Sequence, residues 1–167
     1  MFKNFYADAY FDIITDISPD YLMERNIRGL ILDIDNTLIG HNVPIPDEKV
    51  LSHLRKLEDA GIKLCVVSNN RYERVKDFCD KINIKFFVHD ALKPKEKGYA
   101  LASKEMELDK KAIAAVGDQI FTDVWGAKRA GCFAILTKPL HKGGEGFFIA
   151  LKRLLEKPFV NKINRGM

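Results

Sequence analysis

The chain has 167 residues, 47% hydrophobic and 30% charged, so it can bury one substantial core and is too apolar to stay disordered. Its formal charge of +4 is unevenly placed: residues 138–167 carry seven Lys/Arg against two acids, and residues 1–29 carry three against five. Collagen-like and mucin-like classes are excluded, and no apolar run approaches the roughly 20 residues a membrane-spanning helix needs.

In chain order, Phe2, Phe5, Tyr6, Ala9, Ile13 and Ile17 follow helical spacing and predict an aromatic helical arm over residues 1–28, packed on the core. A membrane-surface helix is the alternative, but Asp8, Asp12 and Asp16 give it an acidic polar side. Ser18-Pro19 reads as N-cap and first turn of a second short helix. From Gly29 onward, apolar runs predict buried strands at 30–35, 62–68, 84–88, 113–117 and 133–136. Between and after them lie helical patterns at 47–60, 72–81, 95–107, 122–131 and 145–156. This alternation predicts a Rossmann-like three-layer α/β/α sandwich around a parallel five-stranded sheet, filling residues 29–157, with a basic tail at 158–167.

Cys65, Cys79 and Cys132 form no CxxC pair and read as reduced core residues. With no basic-then-apolar leader, the expected location is the cytoplasm. The four histidines are dispersed and receive no metal role.

Strand ends of a parallel sheet gather at one edge, so four segments are expected to converge. They are Asp33/Asp35/Thr37, Ser68-Asn69-Asn70, Lys93-Pro94, and Gly117-Asp118 with Asp123. Each alone reads as a turn or cap; in this order at successive strand ends they point to phosphoryl transfer. A carboxylate can attack phosphorus and form an aspartyl phosphate, provided positive charge offsets its repulsion of the phosphate. Asp33 and Asp118 suit Mg²⁺, a hard cation that takes oxygen ligands. Lys93 adds an ammonium, favoured over Lys95 and Lys97 because it lies closest to the strand end. Thr37, Ser68 and Asn69, with Lys93, form the expected phosphate-binding set. Asp35 is free to protonate the leaving alkoxide and later deprotonate water. Arg71 and Tyr72 read as an exposed first helical turn.

Over about residues 29–137 the chain resembles the haloacid dehalogenase superfamily of phosphohydrolases, through Asp33-Ile34-Asp35-Asn36-Thr37, Ser68, Lys93, Gly117-Asp118 and Asp123. The resemblance implies Asp33 as nucleophile and Asp35 as acid/base. Mg²⁺ would be held by the Asp33 and Asp118 carboxylates and the Asp35 backbone carbonyl, with Asp123 supporting from outside. The short intervals after Thr37 and Ser68 leave no room for a large cap domain. Ile17-Ser18-Pro19, the aromatic arm and Ala91-Leu92-Lys93-Pro94 further resemble the capless subfamily IIIA, YqeG-like group, related to phosphatidylglycerophosphate phosphatases. That implies a phosphomonoester substrate, lipid-borne in phosphatidylglycerophosphate, with peripheral contact at the inner membrane face through the arm or tail. The alternatives are a catalytically weak phosphate- or metal-binding scaffold, and a phosphatase for soluble metabolites, proteins or nucleic-acid ends. Nucleic acid is disfavoured as a partner, and either a monomer or a dimer fits.

Overall fold

The computed structural model describes residues 3–40, 43–140 and 155–156. Strands β1 (Ala9–Phe11), β2 (Gly29–Leu32), β3 (Lys63–Val67), β4 (Phe86–Val88), β5 (Ile113–Gly117) and β6 (Phe133–Thr137) form one sheet in the order β1-β6-β5-β2-β3-β4. Every pairing is parallel. The helices are α1 (Pro19–Glu24), α2 (Glu48–Asp59), α3 (Tyr72–Ile82), α4 (Lys97–Met106) and α5 (Trp125–Ala130).

The alternation of each strand assigns the two helical layers. Leu30, Leu32, Leu64, Val66, Ala114 and Val116 face Leu22 of α1, Leu54 and Leu57 of α2, and Val75 and Phe78 of α3. Ile31, Cys65, Val67 and Ala115 face the other way, against Tyr99, Ala102 and Met106 of α4 and Ala127 and Ala130 of α5. With both faces covered, the strands read as continuous apolar runs, and each buried Leu or Ile contributes roughly 1.5–3 kcal/mol. The helix ends follow local chemistry. The Asp47 side chain accepts from Val50 N at 2.9 Å to start α2, and Gly61 at φ +85° follows its end.

Among the described residues the sheet has six strands where five were expected, and the extra one corrects the reading of the N-terminal arm. Lys3–Phe5 and Ile14–Asp16 are single 3₁₀ turns, and between them β1 pairs with β6, Ala9 opposite Ile135 and Phe11 opposite Thr137. The residues that looked like one helical stripe serve opposite faces. Phe5 packs on Phe121 and Trp125, at 5.4 and 5.2 Å between ring centroids, whereas Ala9 and Ile17 join the core on the other face, where Phe11, outside that stripe, packs on Tyr21 at 5.0 Å. The backbone groups along β6 and these packing sites override the helical periodicity. Ser18 does cap α1, its hydroxyl accepting from Tyr21 N at 3.1 Å.

β2 lies between β5 and β3, where the strand order reverses, so the crevice beyond its C-terminal end is the expected ligand position. The intervals from Thr37 to Ser68 and from Ser68 to Lys93 carry α2 with β3 and α3 with β4, and no cap domain is inserted among the described residues. No helix among the described residues is long and apolar enough to cross a membrane. The expected helix at 145–156, apart from residues 155–156, and the basic tail at 158–167 lie outside the described residues.

Candidate active site

β2 ends at Leu32, and the Asp33 amide donates to Val116 O at 3.1 Å, which keeps the next residue against β5. The chain then folds back on itself. Asn36 sits at φ +61°, its amide donates to Ile39 O at 2.7 Å, and the Leu38 and Ile39 amides both reach Ile34 O. Asp33 and Asp35, two residues apart, therefore enter different surroundings. Asp33 is 9% exposed, while the Asp35 side chain is 49% exposed.

Buried beside Asp33, the Lys93 ammonium donates to Asp33 Oδ1 at 2.5 Å and to Asp123 Oδ1 at 2.7 Å. A π-type turn over Ile120–Val124 aims Asp123 inward, where its Oδ2 accepts from Gln119 N at 3.1 Å and from the Thr122 hydroxyl at 3.3 Å. Tyr99 supports that turn from α4 by donating to Asp123 O at 3.2 Å. Gly117 leaves the room: a Cβ there would lie 2.3 Å from Asp123 Cγ. Glu156, also buried, accepts from Phe121 N at 2.8 Å.

Asp35 faces a second group of residues. Its Oδ2 accepts from Asn70 Nδ2 at 2.8 Å and its Oδ1 from Arg74 Nη2 at 2.5 Å. Asn70 is tied in turn to Ser68, whose Oγ accepts from both the Asn70 amide at 3.1 Å and its Nδ2 at 2.9 Å. The Ser68 hydroxyl proton stays available to donate elsewhere.

Burial pushes the Asp33 carboxyl up to about 8; Lys93 opposes the rise, and Asp123 and Asp118 add to it. For Lys93 burial disfavours the ammonium, yet Asp123 and Asp33 outweigh it and hold the group charged above the usual lysine range. One oxygen each from Asp33, Asp118 and Asp123 lies within 4.8 Å of the others. Three carboxylates around one ammonium form an all-oxygen donor set that fits a small divalent cation. Asp123 joins that cluster, but its bonds to Lys93, Gln119 and Thr122 match a supporting place behind Asp33 and Asp118.

The structure thus gathers Asp33, Thr37, Lys93, Asp118 and Asp123 at one strand edge, with Thr37 Oγ1 3.5 Å from Asp33 Oδ2. Asp35, Ser68 and Asn70 border them. The Asn69 side chain is committed to the lysine loop: its Oδ1 accepts from Lys93 N at 2.7 Å and its Nδ2 donates to Lys93 O at 3.5 Å. Lys95 and Lys97 line a different cavity, of about 350 Å³, with Phe87, Leu92 and Leu101. Sequence reasoning missed Asn70 and Arg74 as partners of Asp35, and Tyr99 as the support of the π-type turn. Asn70 carried a signal in its place after Ser68; Arg74 carried none beyond its place on the first turn of α3.

Comparison with known proteins agrees with this geometry. Residues 40–131 match the haloacid dehalogenase-like hydrolase family. The chain is 35% identical to a probable phosphatase, YqeG, of Bacillus subtilis (strain 168), over 98% of this chain and 94% of that protein. It is 26% identical to phosphatidylglycerophosphate phosphatase 1, chloroplastic/mitochondrial, of Arabidopsis thaliana, over 90% of this chain and 46% of the plant protein. In fold it is similar to the crystal structure of an uncharacterized protein from Listeria monocytogenes serotype 4b. That match has a TM-score of 0.58 at 19% identity, covering 79% of this chain and 99% of the other.

Proposed function

This chain belongs to the haloacid dehalogenase-like hydrolases and is a phosphoric monoester hydrolase, and we propose that it works through a phosphoryl group carried on Asp33. The observation that carries this reading is the division of labour between the two acids: one buried against a lysine, the other facing the crevice mouth.

In the first step an Asp33 carboxylate oxygen attacks phosphorus, the bond to the ester oxygen breaks, and Asp35 gives that oxygen a proton. In the second step water attacks the phosphorus, Asp35 takes the water proton, and the bond to Asp33 breaks to release inorganic phosphate. Lys93 holds its proton throughout and fixes Asp33 Oδ1, and Asp123 and Asn69 hold Lys93. The Thr37 and Ser68 hydroxyls donate to the phosphoryl oxygens. Mg²⁺, held by the Asp33 and Asp118 carboxylates with the Asp35 carbonyl, would supply charge that screens the attacking carboxylate from the phosphate.

The candidate substrate is phosphatidylglycerophosphate. It is supported by the name of the plant relative and by an uncapped site, which suits a phosphate presented on a bulky support such as a membrane surface. The test is phosphate release in Mg²⁺ from this lipid in vesicles, run beside soluble sugar phosphates and nucleotides. Turnover selective for the lipid and abolished by Asp33→Asn is expected; better turnover of soluble esters would remove the lipid assignment, and full activity of Asp33→Asn would remove the mechanism.

A further inference from the structure

The surroundings of Asp35 raise a problem for an acid that must reach a leaving oxygen. Both its carboxylate oxygens are engaged, Oδ1 by Arg74 and Oδ2 by Asn70. Each oxygen keeps a further acceptor site, yet a leaving oxygen with its bulky substituent approaches most freely where one of these partners withdraws. Asn70 is anchored by two bonds to Ser68, which is buried just past the end of β3. Arg74 stands on a long stem with a side chain 55% exposed, and only one of its five N–H donors is spent on Asp35. It is the partner that can move.

Between two half-exposed side chains such a bond is weak, and a guanidinium readily exchanges it for one to another oxyanion. The three groups also run outward in order: Lys93 at 8% exposed holds Asp33, Asp35 lies nearer the mouth, and Arg74 lies beyond it. We propose that Arg74 is a subsite for a second oxyanion of the substrate, located past the scissile ester oxygen, and that this anion draws the guanidinium off Asp35. Resting on the phosphatase reading above, the proposal makes that second group a phosphodiester, whose paired oxygens match the guanidinium fork. Substrate selection is then built into the approach of the acid.

The test compares two soluble phosphomonoesters that differ in a phosphodiester: glycerol 3-phosphate and deacylated phosphatidylglycerophosphate. Wild type, Arg74→Gln and Arg74→Lys are each assayed for kcat/KM on both, and calorimetry follows binding of glycerophosphoglycerol, a diester with no monoester. In Arg74→Gln the preference for the two-anion ester is expected to fall roughly 10- to 100-fold, with diester affinity falling roughly tenfold or more and Arg74→Lys recovering part of both. An unchanged preference with unchanged diester binding overturns the proposal. So does a loss confined to phosphatidylglycerophosphate in vesicles, assayed beside the soluble esters, which would assign Arg74 to the membrane surface. If wild type turns over neither ester, the phosphatase reading falls, and the calorimetry still decides whether Arg74 binds a diester.

Discussion

Replacing Gly117 with alanine is expected to unseat Asp123. The added Cβ would lie 2.3, 2.4 and 2.5 Å from Cγ, Cβ and Oδ2 of Asp123, where ordinary contact begins at 3.4 Å. Asp123 cannot turn aside without loss, because Lys93, the Gln119 amide and the Thr122 hydroxyl all hold it. Overpacking together with a broken charge-assisted bond amounts to roughly 3–5 kcal/mol. For a chain of this length that is a fall in Tm of roughly 6–20 °C, read by circular dichroism. The clash is isolated in a double variant with Asp123→Gly, which removes all three clashing atoms where alanine would keep the Cβ at 2.4 Å. Asp123→Gly alone strips a buried ammonium of one carboxylate and is itself destabilising. Once it is present, however, the methyl added at position 117 no longer meets those atoms. Gly117→Ala/Asp123→Gly should therefore be no less stable than Asp123→Gly, an interaction equal to the whole cost of Gly117→Ala alone, roughly 3–5 kcal/mol, with activity still lost. Additive losses would refute the steric argument.

Two further outcomes follow from the same cluster. In chelator, the folded Asp33 carboxyl lies near 8 against an ordinary 3.8, so between these values the native state holds a proton that the unfolded chain has released. Its contribution is full below pH ~4 and is lost as pH rises through about 8; the denaturant midpoint should fall across that window, less steeply in Asp33→Asn, and an equal slope in both proteins would contradict the assignment. Asn69→Ala should lower kcat roughly 3- to 30-fold by loosening the Lys93 loop, while Asn69→Asp, which keeps the acceptor for Lys93 N, retains most of it; steady-state assays with equal losses in both would disprove the clamp.

Much of the fold was legible because parallel strands buried on both faces leave continuous apolar runs, as in Leu30-Ile31-Leu32 and Leu64-Cys65-Val66-Val67. The convergence of Asp33, Lys93, Asp118 and Asp123 was readable from topology alone, since all follow strand ends. β1 was hidden because three residues carry no period, and the aromatics around it serve two faces at once. Arg74 was hidden for a different reason. An arginine on an exposed helical turn is ordinary, and only the fold brings it within 2.5 Å of a carboxylate 39 positions earlier. Asn69 drew notice by its place after Ser68, and its 24-residue reach to the Lys93 main chain is a tertiary contact no local pattern encodes.

The pairing of β1 with β6 also bears on how the chain is made. Residues 9–11 leave the ribosome early, but their partners, residues 135–137, come more than a hundred residues later. Until then the first strand has no ladder, and Asp8, which accepts from Ala134 N at 2.8 Å and pairs with Lys128 at 2.6 Å, has neither partner. Such a long loop is entropically costly to close before the intervening elements have packed. Synthesis order therefore favours assembly of the β2–β5 core first, with the opening segment docking last as a seal on the far edge of the sheet.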